Sequence, residues 1–109
     1  MTINIHSIET TFKNQLKDIG YFNIEIKNEK ARSFSVIAEG ALRSIFILVI
    51  FYLVSEHLKD LTNEEILDIK QNADTFKKEP WAAVMRVNEK GELVDSIQWT
   101  NLSRQRLVS

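Results

Sequence analysis

One uninterrupted apolar run in the middle of the chain decides the fold. It reads Ile45-Phe46-Ile47-Leu48-Val49-Ile50-Phe51-Tyr52-Leu53-Val54. A helix that spans a membrane needs about 20 apolar residues, and this shorter run is bounded by Arg43 and Glu56. Most of its residues are Ile, Val or Phe, which favour strands, and it has no polar face. We therefore predict a central strand that is covered on both faces, with a buried helix as the alternative.

The segment before this run predicts one helix and two strands. Apolar residues recur at helical spacing from about Ser7 to Ile19, with Ser7 as the predicted N-cap and Gly20 as the predicted stop. Residues 22–27 and 33–39 then alternate between apolar and polar types, which is the pattern of half-buried strands.

The segment after the run predicts a second helix. Thr62 and Glu65 have the spacing of a capping box, in which each side chain bonds the other residue's backbone amide. An apolar face follows and includes Phe76. We expect the helix to end near Lys77-Lys78, because cations suit a helix C-terminus.

Two further strands complete the predicted fold. Residues 81–87 alternate as a fourth strand, and residues 88–91 are predicted to form a hairpin loop. Val94 and residues 97–99 are assigned to a fifth strand. Residues 103–109 are predicted to be a flexible tail.

These elements predict a mixed α+β domain in the order α-β-β-β-α-β-β. Two helices flank a central mixed sheet, and the helix between the third and fourth strands permits those strands to run parallel. For a chain of 109 residues we expect a single domain over residues 1–109, with an ordered core at about 7–102.

Composition excludes several kinds of site. The chain has no cysteine, which removes disulfides, thiolate metal ligands and a cysteine nucleophile, and this agrees with the cytoplasmic location that we expect. The net charge of -1 lacks the basic excess that is typical of nucleic-acid-binding proteins. No glycine-rich phosphate loop and no signal-peptide pattern are visible, so we expect no cofactor and no membrane association.

The element order and two local segments resemble the PD-(D/E)XK nuclease-like fold of restriction endonucleases. The order of residue types in residues 38–50 resembles that of the family's second hairpin and core strand. Residues 78–84 resemble the segment that enters its fourth strand. The resemblance implies an acid at the start of the second strand, and an acid and a lysine two residues apart on the third. In such a site the acids hold Mg²⁺, and the metal and the lysine offset the charge of the phosphodiester.

The residues at those positions depart from the family's pattern. Leu48-Val49-Ile50 stand where the acid and the lysine belong, and the second strand opens with Arg32-Ser33 rather than an acid. Glu9 on the first helix matches an auxiliary acid of some relatives. We therefore expect a non-catalytic interaction or structural module. The alternative is a divergent Mg²⁺-dependent nuclease whose acids come from Glu9, Glu25 or Glu39.

Metal and nucleic-acid sites have weaker support in the sequence. His6 and His57 lie in no ligand-spaced cluster, so no metal site is predicted. A nucleic-acid-binding protein is a further alternative, with basic side chains on the phosphates and tryptophans as stacking surfaces. The candidate binding residues are Lys77, Lys78, Trp81, Arg86 and Trp99.

A homodimer is the protein partner that the predicted sheet favours. Both faces of the apolar strand need to be covered, and two helices are predicted to cover them. If both helices pack on one side, a second copy covers the other face, or the two copies pair through an edge strand.

Overall fold

The computed structural model describes residues 5–57 and 61–104, with the backbone alone for Arg104. In chain order the elements are α1 (Ile5–Ile19), β1 (Phe22–Lys27), β2 (Ser33–Glu39), β3 (Ser44–Leu53), α2 (Asn63–Thr75), β4 (Glu79–Val87), β5 (Gln98–Asn101) and a short 3-10 helix (Leu102–Arg104). The predicted α-β-β-β-α-β-β order and the α+β fold class are thereby confirmed.

The strands form one mixed sheet in the order β1-β2-β3-β4-β5. The first three form an antiparallel meander, β3 and β4 run parallel, and β5 returns antiparallel to β4. α2 connects the parallel pair, because a parallel connection needs a long crossover. The apolar run therefore lies at the centre of the sheet, with a hydrogen-bonded strand on each side.

The two helices lie on opposite faces of the sheet. The apolar stripe of α1, which includes Phe12, packs against the face that carries Val49. Ile69 and Ala73 of α2 pack against the other face, which carries Phe46. The condition for a homodimer through a sheet face, with both helices on one side, is therefore not met.

β3 is buried as its sequence predicts, and it is a strand rather than a helix. Its side chains on the α1 face are at most 2% exposed, namely Ile45, Ile47, Val49 and Phe51. Within residues 5–57 and 61–104, no helix is long and apolar enough to cross a membrane.

α1 begins two residues earlier than predicted. Ser7 lies inside the helix rather than at its N-cap, because Ile5 also packs against the core and extends the apolar stripe. The predicted stop at Gly20 is confirmed. Gly20 has a φ of 118°, and the amides of Gly20 and Tyr21 both donate to the carbonyl of Leu16.

The capping box at the start of α2 is confirmed. The Thr62 hydroxyl accepts from the Glu65 amide at 3.1 Å, and the Glu65 carboxylate accepts from the Thr62 amide at 3.0 Å. α2 ends at Thr75, ahead of the predicted Lys77-Lys78, since Lys77 has a positive φ of 56°. Phe76 is the C-cap and is 41% exposed, so it is not the core residue that the pattern indicates.

The fifth strand begins later than predicted. It spans Gln98–Asn101, and Val94, which the sequence assigns to it, is 49% exposed and lies outside the strand. The predicted loop at residues 88–91 is present, with a φ of 82° at Gly91. The side-chain oxygen of Asn88 accepts two backbone amides at this loop. Leu93 then bridges Val87 and the Val94 amide donates to the Arg86 carbonyl, and regular pairing with β4 resumes only at Gln98.

The chain continues beyond β5 into the short 3-10 helix. Leu102 is 1% exposed and packs into the core on the α2 face. Ser103, the predicted start of the tail, donates from its amide and its hydroxyl to the side-chain oxygen of Asn101. The rest of the predicted tail, residues 105–109, lies outside the described residues.

Candidate functional site

The first turn of α1 meets the turn between β1 and β2 at one end of the sheet. His6 and Glu9 lie one helical turn apart on α1, and Glu29 lies in the turn that follows β1. One ligand atom from each of the three side chains lies within 4.8 Å of the other two. We call these three residues the acid–histidine cluster.

Glu9 is the buried member of the cluster. It is 7% exposed, whereas His6 and Glu29 are exposed. Its Oε1 atom lies 3.4 Å from Nδ1 of His6, and its Oε2 atom is buried without a hydrogen-bond partner. A buried carboxylate oxygen without a donor is energetically unfavourable, so Glu9 has unused capacity to bind a positive group.

The surroundings of Glu9 disfavour its charged form. Burial is the main effect that raises the pKa of Glu9, and the facing carboxylate of Glu29 raises it further, while His6 opposes both. The cluster therefore favours a positive charge at the Glu9 oxygens, in the form of a proton or of a metal cation.

The cluster offers one imidazole nitrogen together with carboxylate oxygens. Divalent transition-metal ions bind imidazole and carboxylate in the same site. The sequence predicts no metal site at His6, but the β1–β2 turn brings Glu29 within ligand distance of His6 and Glu9. His57 is exposed, and it belongs to no such group in the part of the chain that the structure describes.

The other candidate acids do not join Glu9. Glu39 ends β2 at the opposite end of the sheet, where its carboxylate accepts from Nδ2 of Asn23 at 3.0 Å. Glu25 is exposed on β1, opposite Ile37 of β2. The three acids of the enzyme alternative are therefore spread over the molecule instead of meeting at one centre.

The positions at which the nuclease resemblance implies an acid and a lysine lie in a packed part of β3. Val49 is fully buried against α1. Leu48 and Ile50 are half-buried on the other face of the sheet, since side chains alternate along a strand. None of these side chains binds a metal or transfers a proton.

Two arginines stabilise the loop after β3 through an ion pair and hydrogen bonds. Arg32, which precedes β2, forms an ion pair with Glu56 at 2.7 Å, and the same carboxylate oxygen accepts from the amide of Leu53 at 2.7 Å. Arg86, a candidate binding residue, donates to the carbonyl oxygens of Val54 and Glu56 at 3.2 and 3.4 Å. These contacts indicate a structural role for both arginines.

The candidate binding residues do not form one site. Trp81 and Trp99 meet edge to face, with ring centroids 6.4 Å apart. Arg86 lies five residues farther along β4 than Trp81, roughly 16 Å away at about 3.3 Å per residue. Lys77 and Lys78 lie in the connection between α2 and β4. Only the tryptophans among these five are brought together.

The tryptophans form part of an apolar cleft at the end of the sheet where α1 finishes. The cleft has a volume of about 240 Å³, and its lining residues are Ile19, Tyr21, Ile45, Trp81 and Trp99. Ile19 is 59% exposed at its rim. This end of the sheet is opposite to the acid–histidine cluster.

Leu42 projects beside this cleft from the turn between β2 and β3. It is 93% exposed and shares a surface depression with Ile19 and Tyr21. Gly40 holds the turn close to the cleft, because a Cβ atom at Gly40 would come within 2.8 Å of the Tyr21 ring. Its amide also donates to the carbonyl of Arg43 at 2.8 Å. We call the cleft together with Leu42 the apolar end.

One carboxylate ties together the strands that carry the apolar end. Oε1 of Glu79 accepts from Arg43 at 3.0 Å, from Nε1 of Trp81 at 3.0 Å and from Asn101 at 2.7 Å. Arg43 precedes β3, and the other two donors belong to β4 and β5. Glu79 therefore fixes the orientation of Trp81.

Sequence reasoning missed both the cluster and this carboxylate. The spacing of His6 and Glu9 is a signal that was available, because residues three apart share one face of a helix. Glu29 and Glu79 acquire their roles through contacts between distant parts of the chain, for which no local pattern exists.

No family model matches the chain, and no curated protein matches it.

Proposed function

We propose that this protein is a non-catalytic interaction module on a PD-(D/E)XK nuclease-like scaffold, and that it associates with a second copy of itself through the apolar end. The element order and the central position of β3 support the scaffold. The burial of Val49 supports the absence of catalysis, and the apolar end supports self-association.

The burial of Val49 is the observation that carries the non-catalytic assignment. A nuclease of this architecture extends an acid and a lysine from the third strand towards Mg²⁺ and the attacking water. In this chain β3 has no acid and no lysine, and Val49 is fully buried in the core cluster that includes the apolar stripe of α1. Any hydrolysis would need a different centre, and Glu9, Glu25 and Glu39 do not converge on one.

A cleavage assay tests the non-catalytic assignment. Single- and double-stranded DNA and RNA, mixed with the protein and Mg²⁺ or Mn²⁺, should stay intact. Cleavage that is abolished by EDTA and by Glu25→Ala or Glu39→Ala would establish the divergent nuclease instead. Glu89→Ala, which changes an exposed acid in the loop after β4, is the matched control.

The same oligonucleotides test the nucleic-acid alternative when they carry a fluorophore. Fluorescence anisotropy should show no saturable binding by the wild type. Saturable binding that weakens in a Lys77→Ala, Lys78→Ala double variant, and with rising salt, would establish a nucleic-acid partner in place of self-association.

A second copy is the proposed partner because the apolar end contains both a projecting apolar side chain and an apolar recess. A two-fold symmetric interface uses the same surface patch on both copies, so the patch must contain features that fit each other. Leu42 is a projecting apolar side chain, and the cleft beside Trp81 is an apolar recess. In the proposed dimer, a two-fold axis near the β2–β3 turn would place Leu42 of each copy in the cleft of the other.

The other routes to a homodimer have less support. β1 is an edge strand with an irregular register between Phe22 and Glu25 and a φ of 51° at Asn23, and such irregularity hinders pairing along an edge. β5, the other edge, is four residues long. The apolar end is small, so a weak, reversible dimer is expected.

Sedimentation velocity tests the self-association. The wild type should shift from monomer to dimer as its concentration rises into the high micromolar range, and Leu42→Asp should stay monomeric. Leu67→Asp is the matched control, because Leu67 is 42% exposed on α2 and lies outside the apolar end. A wild type that remains monomeric throughout, or equal loss of dimer in both variants, would overturn the proposal.

A further inference from the structure

We propose that His6, Glu9 and Glu29 bind a divalent transition-metal ion of the Zn²⁺ type at the surface where α1 meets the β1–β2 turn. The site lies at the other end of the sheet from the apolar end, and it uses no residue of β3. It therefore goes beyond the proposed interaction function and does not depend on it.

Two independent observations carry this assignment. The first is geometric, since ligand atoms of His6, Glu9 and Glu29 already lie within 4.8 Å of one another. The second is the state of Glu9, whose side chain is 9% exposed and whose Oε2 atom is buried without a hydrogen-bond partner. A cation bound at the buried Glu9 carboxylate would also bind His6 and Glu29, and it would therefore form three bonds to the protein.

The ligand atoms need to move only a short distance to reach the spacing that a bound metal requires. Metal–ligand bonds of about 2.0–2.1 Å in a tetrahedral site place the ligand atoms roughly 3.3 Å apart. The ligand atoms therefore need to approach one another by about 1.5 Å at most from their present positions. Glu9 is held by packing, whereas His6 is 81% exposed and Glu29 is exposed, so the two outer ligands have room to move towards Glu9.

The donor set selects the class of metal. One imidazole with two carboxylates suits Zn²⁺ and similar first-row ions. Ca²⁺ takes six to eight oxygen ligands, and Mg²⁺ prefers oxygen ligands and retains several waters. Three protein ligands also leave a coordination position for water, so the ion would be accessible from solvent.

Electrostatics favours the same ion. Glu9 and Glu29 present two carboxylates to each other, and Glu9 is withdrawn from water. A divalent cation between them removes their mutual repulsion and gives the buried Glu9 carboxylate a positive partner. The competing structural role is a proton on Glu9, which satisfies the same oxygen without any metal.

Titration of the metal-free protein with Zn²⁺ distinguishes these roles. Isothermal titration calorimetry should give one Zn²⁺ per chain, and the Tm should rise with Zn²⁺ concentration. Mn²⁺ should bind more weakly, and Mg²⁺ at the same concentration should leave the Tm unchanged. Because a ligand is lost, His6→Ala and Glu29→Gln should each weaken Zn²⁺ binding by about tenfold or more.

His57→Ala is the matched control, since it removes the other histidine from an exposed position. It should leave the Zn²⁺ affinity and the Tm response unchanged. Glu29 is exposed, so Glu29→Gln tests the site without disturbing the core, and circular dichroism verifies that each variant is folded. The absence of a Zn²⁺-dependent rise in Tm, or equal weakening in His57→Ala and His6→Ala, would overturn the site and leave a proton on Glu9 as its occupant.

Discussion

Val49 shows at the scale of one residue why this strand excludes the chemistry of a nuclease. Its side chain is 0% exposed beneath α1, so a carboxylate there would lose its water without gaining a partner. We expect Val49→Glu to lower the free energy of unfolding by about 3 kcal/mol or more, measured by urea denaturation. Val54→Glu is the matched control, because Val54 is 45% exposed at the end of the same apolar run. Equal stability of the two variants would contradict the packing of β3.

Glu9 makes a contribution to stability that depends on pH. Its pKa in the folded state is raised above the ordinary value of 4.5, mainly by burial, so the folded state holds the proton more tightly than the unfolded state. The stability that comes from this proton is fully present below pH 4.5, and it is lost as the pH rises through the raised pKa. Glu9→Gln keeps the shape and removes the titration.

In metal-free buffer we therefore expect Glu9→Gln to be more stable than the wild type at pH 7, by about 1 kcal/mol. The difference should shrink as the pH falls through the raised pKa towards 4.5, and it should stay constant below that value. Urea denaturation across this pH range measures it, and Glu89→Gln, which changes an exposed acid, should show no such trend. A Glu9→Gln variant that is less stable at pH 7 would contradict the assigned surroundings of Glu9.

At the scale of elements, the capping box is a local device with a measurable effect on α2. The Thr62 hydroxyl satisfies the Glu65 amide at the start of the helix. Thr62→Ala should lower the free energy of unfolding by about 1 kcal/mol, measured by thermal or urea denaturation. Thr75→Ala is the control, because the Thr75 hydroxyl donates to the carbonyl of Gln71 within the last turn and caps no amide. Equal losses in both variants would contradict a role for the cap.

The elements that were predictable from sequence are those whose cause is local. Gly20, the Thr62–Glu65 box and the apolar β3 each depend on neighbouring residues, and the structure confirms them. Ser7 is not the N-cap because Ile5 also packs against the core, which extends the helix by two residues. The late start of β5 was missed because the pairing with β4 is interrupted between Val94 and Gln98, which the pattern of apolar residues does not indicate.

The candidate site was less predictable than the fold, and the reason is distance along the chain. Glu9 was named from sequence as an auxiliary acid, but its burial and its approach to Glu29 require α1 to lie against the β1–β2 turn. Trp81 and Trp99 were named as stacking surfaces. Their packing on each other into one cleft requires β4 and β5 to pair.

At the scale of the whole molecule, the sheet separates two surfaces of different chemistry. The apolar end lies where β3 and β4 begin, and the acid–histidine cluster lies where β1 ends and β2 begins, beside the end of β3. The length of β3 sets these surfaces roughly 30 Å apart, at about 3.3 Å per residue. Substitutions at one surface should therefore act independently of those at the other.

Self-association through the apolar end should also be visible in the stability of the intact protein. A second copy that binds only the native state raises the apparent stability with concentration, by about 1 kcal/mol when the protein concentration reaches several times Kd. Differential scanning calorimetry over a hundredfold concentration range should show a rising Tm for the wild type and for Leu67→Asp. Leu42→Asp should show a constant Tm, because its apolar end no longer fits a second copy. His6→Ala should retain the concentration dependence, and its loss there would mean that the two ends of the sheet are coupled.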